Sequence, residues 1–150
     1  MRRLYLVHHA DAVGPDVDPQ RPLSSLGLKQ AADVAAHAHL QGVKPDVIWH
    51  SGKLRAKQTA EAIYRACNPF AEFRLVAGLR PDDSPRQIVE ALIGETRDVV
   101  LVSHMPLLPA LAATLAHELA SMPLNGMIAL QRERDEDGWT VEWRYSPSLF

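Results

Sequence analysis

Three short apolar runs, LYLV at 4–7, VIW at 47–49 and VVLV at 99–102, punctuate the chain and alternate with stretches of helical composition. A strand that is apolar at every position is buried on both faces, and only a sheet covered by helices on each side offers that. The expected fold is therefore an α/β three-layer sandwich with a mainly parallel central sheet. In order, the sequence predicts a strand over 3–8 and a Gly/Pro/Asp-rich loop to Pro22. A helix to about Leu40 follows, capped by Ser24 or Ser25, with Leu28, Ala31, Ala32 and Ala35 at helical spacing. Gly42 and Pro45 close it. A second strand at 46–50, a helix at 54–66 and an edge strand at 73–76 come next. Ser84-Pro85 opens a helix to about Gly94, as cap followed by proline at the first position. The strand at 98–103 leads past Pro106 into an apolar helix ending near His117. Residues 126–132 and 140–145 read as a closing hairpin around Asp137-Gly138.

No linker, repeat or low-complexity stretch divides these elements, so residues 1–150 are read as a single domain. The formal charge of −2 argues against a broad nucleic-acid footprint. The lone cysteine, Cys67 in AIYRACN, can form no internal disulfide and reads as a packed thiol at a helix end. No apolar run reaches the length of a membrane span or a signal h-region. The expectation is a cytoplasmic monomer that engages neither membrane nor nucleic acid.

In sheets of this kind ligands bind at the carboxyl ends of the strands. One strand ends at His8-His9, one leads through His50-Ser51-Gly52 to Arg55, and one ends at Ser103-His104. Arg55 falls in the first turn of its helix, where the dipole disfavours a cation unless an anion sits beside it. Histidines and a guanidinium around one crevice suggest a phosphoryl group held for attack. A neutral imidazole can attack phosphorus and become a phosphohistidine, which water then hydrolyses. The remaining cations stabilise the non-bridging oxygens, so neither metal nor other cofactor is required. If strand alternation continues to its end, His8 and His9 point to opposite faces and do not share one role.

The blocks LVHHADA, RPLSSLGLKQA, SGKLRAKQTA and VLVSHMPLL, in this order, resemble the histidine phosphatase (phosphoglycerate mutase-like) superfamily. The short length, the RPLSSLG segment and the ending after one hairpin resemble its SixA-type phosphohistidine phosphatases. The resemblance spans the chain and implies a phosphoglycerate mutase-like fold in minimal form, without a large cap insertion. It implies His9 as the phosphorylated nucleophile, Arg55 as a phosphate-binding residue and His104 as the second histidine. Arg21 would lie near the phosphate pocket. The family's Arg-His-Gly is His8-His9-Ala10 here, so His8 stands where a fixed charge is usual. Imidazole supplies charge only when protonated, a form that a bound phosphate dianion would favour. Asp82 and Asp83 in LRPDDSP are candidate general acids, and Asp11 is another by proximity; each fits a turn or cap equally well. A SixA-type enzyme releases imidazole, a good leaving group, so acid assistance matters less.

Three readings follow. The first is a metal-independent phosphatase working through phospho-His9 on protein-borne phosphohistidine or small phosphoesters, with a phosphohistidine-containing protein domain as partner. The second is a phosphate or phosphoprotein binder whose turnover lapsed when the arginine became His8. The third is a metal hydrolase using His8, His9, Asp11 and His104, which adjacent histidines on opposite strand faces would serve poorly. His37, His39 and His117 belong to helices away from the edge, and His50 reads as structural.

Overall fold

The computed structural model describes residues 1–117 and 121–148. Six strands form one sheet: β1 (Arg2–His8), β2 (Val47–His50), β3 (Glu72–Leu75), β4 (Val99–Ser103), β5 (Met127–Arg132) and β6 (Thr140–Tyr145). Among the described residues four helices accompany them: α1 (Ser25–Leu40), α2 (Leu54–Cys67), α3 (Arg86–Ile93) and α4 (Leu107–Ala116). The strand order is β3-β2-β4-β1-β5-β6. The first four run parallel, β5 pairs antiparallel with β1, and β6 pairs antiparallel with β5. This is the expected α/β sandwich, with its mainly parallel sheet finished by an antiparallel hairpin.

Alternation along each central strand feeds two cores. Leu4, Leu6, Val47, Trp49, Val99 and Leu101 pack on one face with α3 and α4, through Ile88, Leu92 and Leu111. Tyr5, Val7, Ile48, Val100 and Val102 pack on the other with α1 and α2, through Val34, Ala35, Ala60 and Ile63. Because both faces are covered, the inner strands carry no polar alternation, which is why they stand out in the sequence.

Element ends differ from expectation by a residue or two, for local reasons. Asp46 and Asp98 stay outside β2 and β4 because their carboxylates cap neighbouring strands. The Asp98 N–H donates to Asp46 Oδ2 at 2.9 Å, and the Arg3 N–H donates to Asp98 Oδ1 at 2.8 Å. In α3 Pro85 rather than Ser84 takes the N-cap position, while Ser84 Oγ accepts the Arg86 N–H at 3.3 Å. The larger difference is the buried face of α1. Ser24 caps the helix by accepting the Gly27 N–H, as expected. Leu28 and Ala32, however, are exposed, and the buried face includes Gly27, Gln30, Ala31, Val34 and Ala35. The helix is turned so that Gly27 meets the loop after β1: a Cβ there would lie 1.9 Å from the Asp11 carbonyl oxygen. Among the described residues, no helix is long and apolar enough to cross a membrane.

Candidate active site

Strands β2, β4 and β1 are neighbours, and their register aligns His50 with Val102 and His8 with Ser103. The residues just beyond, Ser51, His104 and His9, therefore emerge side by side at the carboxyl edge. The His9 N–H donates to the Ser103 carbonyl at 3.1 Å, pinning it across β4. The His9 and His104 ring centroids are 4.9 Å apart, and those of His8 and His9 4.5 Å. The opposite-face expectation for His8 and His9 thus fails, because β1 ends at His8 and the alternation ends with it.

Hydrogen bonds define how these rings are protonated. A carbonyl can only accept, so the 2.7 Å contact between His9 Nδ1 and the Ala10 oxygen places the proton on Nδ1 and the lone pair on Nε2. Burial lowers the His9 pKa to about 4 even though the Ala10 bond favours the cation. His8 is nearly sealed, at 6 % exposure, and its Nδ1 accepts the Asn125 N–H at 2.8 Å. Burial, then the charges of His9 and Arg55, lower its pKa to about 3. His104, at 1 % exposure, contacts Ser51 Oγ through Nε2 at 2.6 Å, and burial, His9 and Arg55 hold its pKa near 3. All three imidazoles are neutral at pH 7, a state in which His9 Nε2 can act as a nucleophile.

The positive charge comes from two guanidiniums. Arg55, in the first turn of α2, has a buried Nε with no partner among the described residues. Its pKa is lowered by burial and by Arg21, so the two cations share one region. Arg21 sits at φ 51° and donates through Nε to the Val13 carbonyl at 3.0 Å, and its charge reaches His9. A crowded pair of cations with an unpartnered buried nitrogen fits an anion. Thr59 ties this turn to the nucleophile loop: its hydroxyl donates to the Arg55 carbonyl at 2.9 Å and accepts the Ala10 N–H at 3.0 Å.

The candidate acids fare unequally. Asp11 Oδ2 accepts the Ser24 hydroxyl at 2.6 Å, so it braces the start of α1. Asp83 Oδ2 accepts the Arg80 N–H at 2.8 Å within its turn, yet Asp83 also lines a cavity of about 250 Å3 with Ser51, Arg80 and Gln87. Asp82 is exposed and does not line it. Among the described residues, no group of three or more His, Cys, Asp or Glu is placed to hold a metal ion. His50 accepts the Gly52 N–H through Nδ1 and packs on Phe73, while His37 stacks on Tyr145. Burial pushes the Cys67 thiol up to about 11, the behaviour of an inert packed cysteine.

A sequence profile of the histidine phosphatase superfamily (branch 1) matches residues 4–81, more than half of the chain and the part that carries His9, Arg21 and Arg55. The chain belongs to this superfamily. No curated protein sequence matches it. Among solved structures, the fold is similar to the putative phosphohistidine phosphatase SixA from Agrobacterium tumefaciens, with TM-score 0.82, 23% identity and coverage of 97% of this chain and 98% of that one. It is similar to the protein histidine phosphatase SixA complexed with tungstate, with TM-score 0.85, 23% identity and 97% of both chains covered. It also resembles a phosphoserine phosphatase from Entamoeba histolytica in complex with 3-phosphoglyceric acid, with TM-score 0.72, 17% identity and 97% and 98% covered. In the terms of this histidine phosphatase fold, the chain is a minimal member, with a six-stranded sheet and four helices among the described residues.

Sequence reasoning missed three residues that shape the site. Ser51 and Thr59 lie inside the SGKLRAKQTA block, and only the place of Ser51 just past a strand end hints at a hydroxyl held in the site, where it is buried against His104. Asn125 lies outside every motif. Its N–H donates to His8 Nδ1 and its side-chain amide donates to the His9 carbonyl at 2.9 Å. Only the Asn-Gly pair at 125–126 hints at the positive φ (56°) found there.

Proposed function

We propose that the protein is a metal-independent phosphatase that acts through a covalent phospho-His9 intermediate. The observation that carries this reading is the tautomer of His9: Nδ1–H is committed to the Ala10 carbonyl, which leaves the Nε2 lone pair for phosphorus. In the first step an Nε2–P bond forms and the bond from phosphorus to the leaving group breaks. Arg55 and Arg21 bind the non-bridging oxygens, with His8 as a neutral donor beside them, while His104, held through Nε2 by Ser51, packs beside the His9 ring at 4.9 Å. In the second step water attacks phosphorus, the N–P bond breaks and inorganic phosphate departs, while the water's proton passes to solvent. His9 is regenerated neutral.

A protein-borne phosphohistidine suits this site best, since the far nitrogen of its ring takes a proton from solvent and the ring then leaves as neutral imidazole, with little asked of a protein acid. Small phosphoesters need a proton on the leaving oxygen, and Asp83, which lines the same cavity as Ser51, is the better placed of the two loop aspartates to give it. All proposed parts come from one sheet edge, so a single-domain monomer suffices. The free Cys67 accords with a reducing cytoplasm.

The test is hydrolysis of a chromogenic phosphoester and of a phosphohistidine peptide, with and without EDTA. Activity should resist the chelator and fall by about three orders of magnitude or more in His9→Ala, as removal of a covalent nucleophile requires. Turnover that survives His9→Ala would refute the mechanism. Tungstate binding without turnover of either substrate would mark a binding protein instead.

A further inference from the structure

We propose that Asn125 is a positioning residue that locks His8 as a neutral Nε2–H donor to the phosphoryl group, so that His8 replaces a fixed cation without ever becoming one. This rests on the reading of the pocket as a phosphoryl site.

Asn125 lies two residues before β5, which pairs with β1 on the opposite side from β4. Its backbone N–H can only donate, so the 2.8 Å contact to His8 Nδ1 requires Nδ1 to be unprotonated. The ring proton then belongs to Nε2, which has no protein partner among the described residues. An imidazolium would carry a proton on Nδ1 as well, facing the Asn125 N–H, so charging His8 means breaking this bond inside a buried site. The titratable and charged groups acting on His8 are His9, from the end of β1, Arg55, from α2, and His104, from the end of β4, and a charge on any of them disfavours the cation.

The same residue sets the nucleophile. The Asn125 amide donates to the His9 carbonyl at 2.9 Å, while the His8 N–H donates to the Gly126 carbonyl at 3.0 Å. Asn125 thus grips both histidines, one through backbone and one through side chain. The grip depends on its φ of 56°, a region open to asparagine and glycine and strained for β-branched residues. A neutral His8 still serves a phosphoryl group, because the N–H dipole points at an oxygen while Arg55 and Arg21 supply the net charge.

The decisive measurement is nitrogen-15 NMR of the histidine-labelled full chain, free and with tungstate, between pH 5 and 8. His8 should show an unprotonated Nδ1 and a protonated Nε2 throughout, with a coupling across the hydrogen bond to the Asn125 amide. A His8 that titrates in this range, or becomes a cation when tungstate binds, would overturn the proposal. Asn125→Gly keeps both positive φ and the backbone N–H, so the His8 signature should persist. Asn125→Val should scramble it between tautomers; an unchanged signature there would show that Asn125 does not set it. His8→Gln, an uncharged side chain with an equivalent N–H, should bind tungstate within about threefold of wild type, whereas His8→Leu should lose about tenfold, the worth of one hydrogen bond to a charged oxygen. Equal losses in Gln and Leu variants would rule out the donor role. If wild type binds no tungstate at any pH, the phosphoryl-site reading fails and the donor role with it, while the tautomer in the free protein is still decided by NMR.

Discussion

His104 shows how much of this site is decided by single atoms. Its Nε2 meets Ser51 Oγ at 2.6 Å, its Nδ1 is sealed without a partner, and the Ser51 oxygen also accepts the Lys53 N–H at 3.3 Å. Ser51→Ala would leave a wholly buried imidazole with no hydrogen bond at either nitrogen, and should cost about 1–3 kcal/mol of stability. It should also weaken tungstate binding, because the ring would be free to turn. Urea unfolding and tungstate titration check both effects, and a variant indistinguishable from wild type in the two would show that Ser51 does not hold His104. The residue scale is also where the sequence is least legible. His9, Arg55 and His104 could be picked out because each ends or opens an element at the edge where ligands bind. Their partners could not: Asn125 is 116 residues from His9, and which backbone N–H will meet which ring nitrogen is decided by tertiary packing alone. The division of roles between His8 and His9 was expected on the ground of strand alternation, yet it arises from two different hydrogen bonds.

The elements themselves were readable because burial on both faces writes itself into β1, β2 and β4 as unbroken apolar runs. The cap of α1 was narrowed to Ser24 or Ser25, and Ser24 holds it, whereas the cap position of α3 falls on Pro85 and not on Ser84. What escaped was the rotation of α1, since the residues that turn it toward the nucleophile loop are Gly27 and Gln30, neither of them apolar. Gln30 Oε1 accepts the Asp11 N–H at 2.9 Å, and Gly27 leaves room for the Asp11 carbonyl. A glycine near the start of a helix is ordinarily improved by alanine, by up to about 1 kcal/mol. Gly27→Ala should do the reverse. Its Cβ would fall 1.9 Å from the Asp11 oxygen and 2.9 Å from the Asp11 carbonyl carbon, both backbone atoms, so the helix and the loop must separate. The expected loss is about 2 kcal/mol or more, in the range of overpacked sites, with a parallel fall in phosphatase activity as the loop carrying His9 shifts. Gly94, at the end of α3 with φ −88° and nothing within 4 Å of an added Cβ, is the matched control. Gly94→Ala should stay within about 0.5 kcal/mol of wild type. Equal stability of the two variants, read from urea midpoints, would refute the close-approach argument.

At the scale of the molecule, gathering three neutral histidines and two guanidiniums at one sheet edge makes stability depend on pH and on anions. In the unfolded chain a histidine titrates near pH 6.5. In the fold His8 and His104 stay neutral to about 3 and His9 to about 4. Between those limits the unfolded state binds more protons than the native one, so unfolding free energy rises with pH and is lost as pH falls below about 6.5. Each histidine contributes at most about 1.4 kcal/mol per pH unit, so three acting together set a ceiling near 4 kcal/mol per unit. Paired carboxylates act lower: the Arg97 hydrogen bond holds Glu95 at about 2, and its contribution fades only below the ordinary carboxylate range. In the window from pH 6.5 to 5 the slope therefore comes from buried histidines, the three of the site together with His50, whose pKa burial also lowers. Thermal midpoints should fall steadily across it in wild type and less steeply in His104→Gln, which removes one of these titrating rings. Tungstate should raise the midpoints across the window, since an anion held between Arg55 and Arg21 adds binding energy to the native state alone. A midpoint constant from pH 7 to 5 would mean that these rings accept protons in the folded state as readily as in the unfolded one, and the buried, neutral site described here would be wrong.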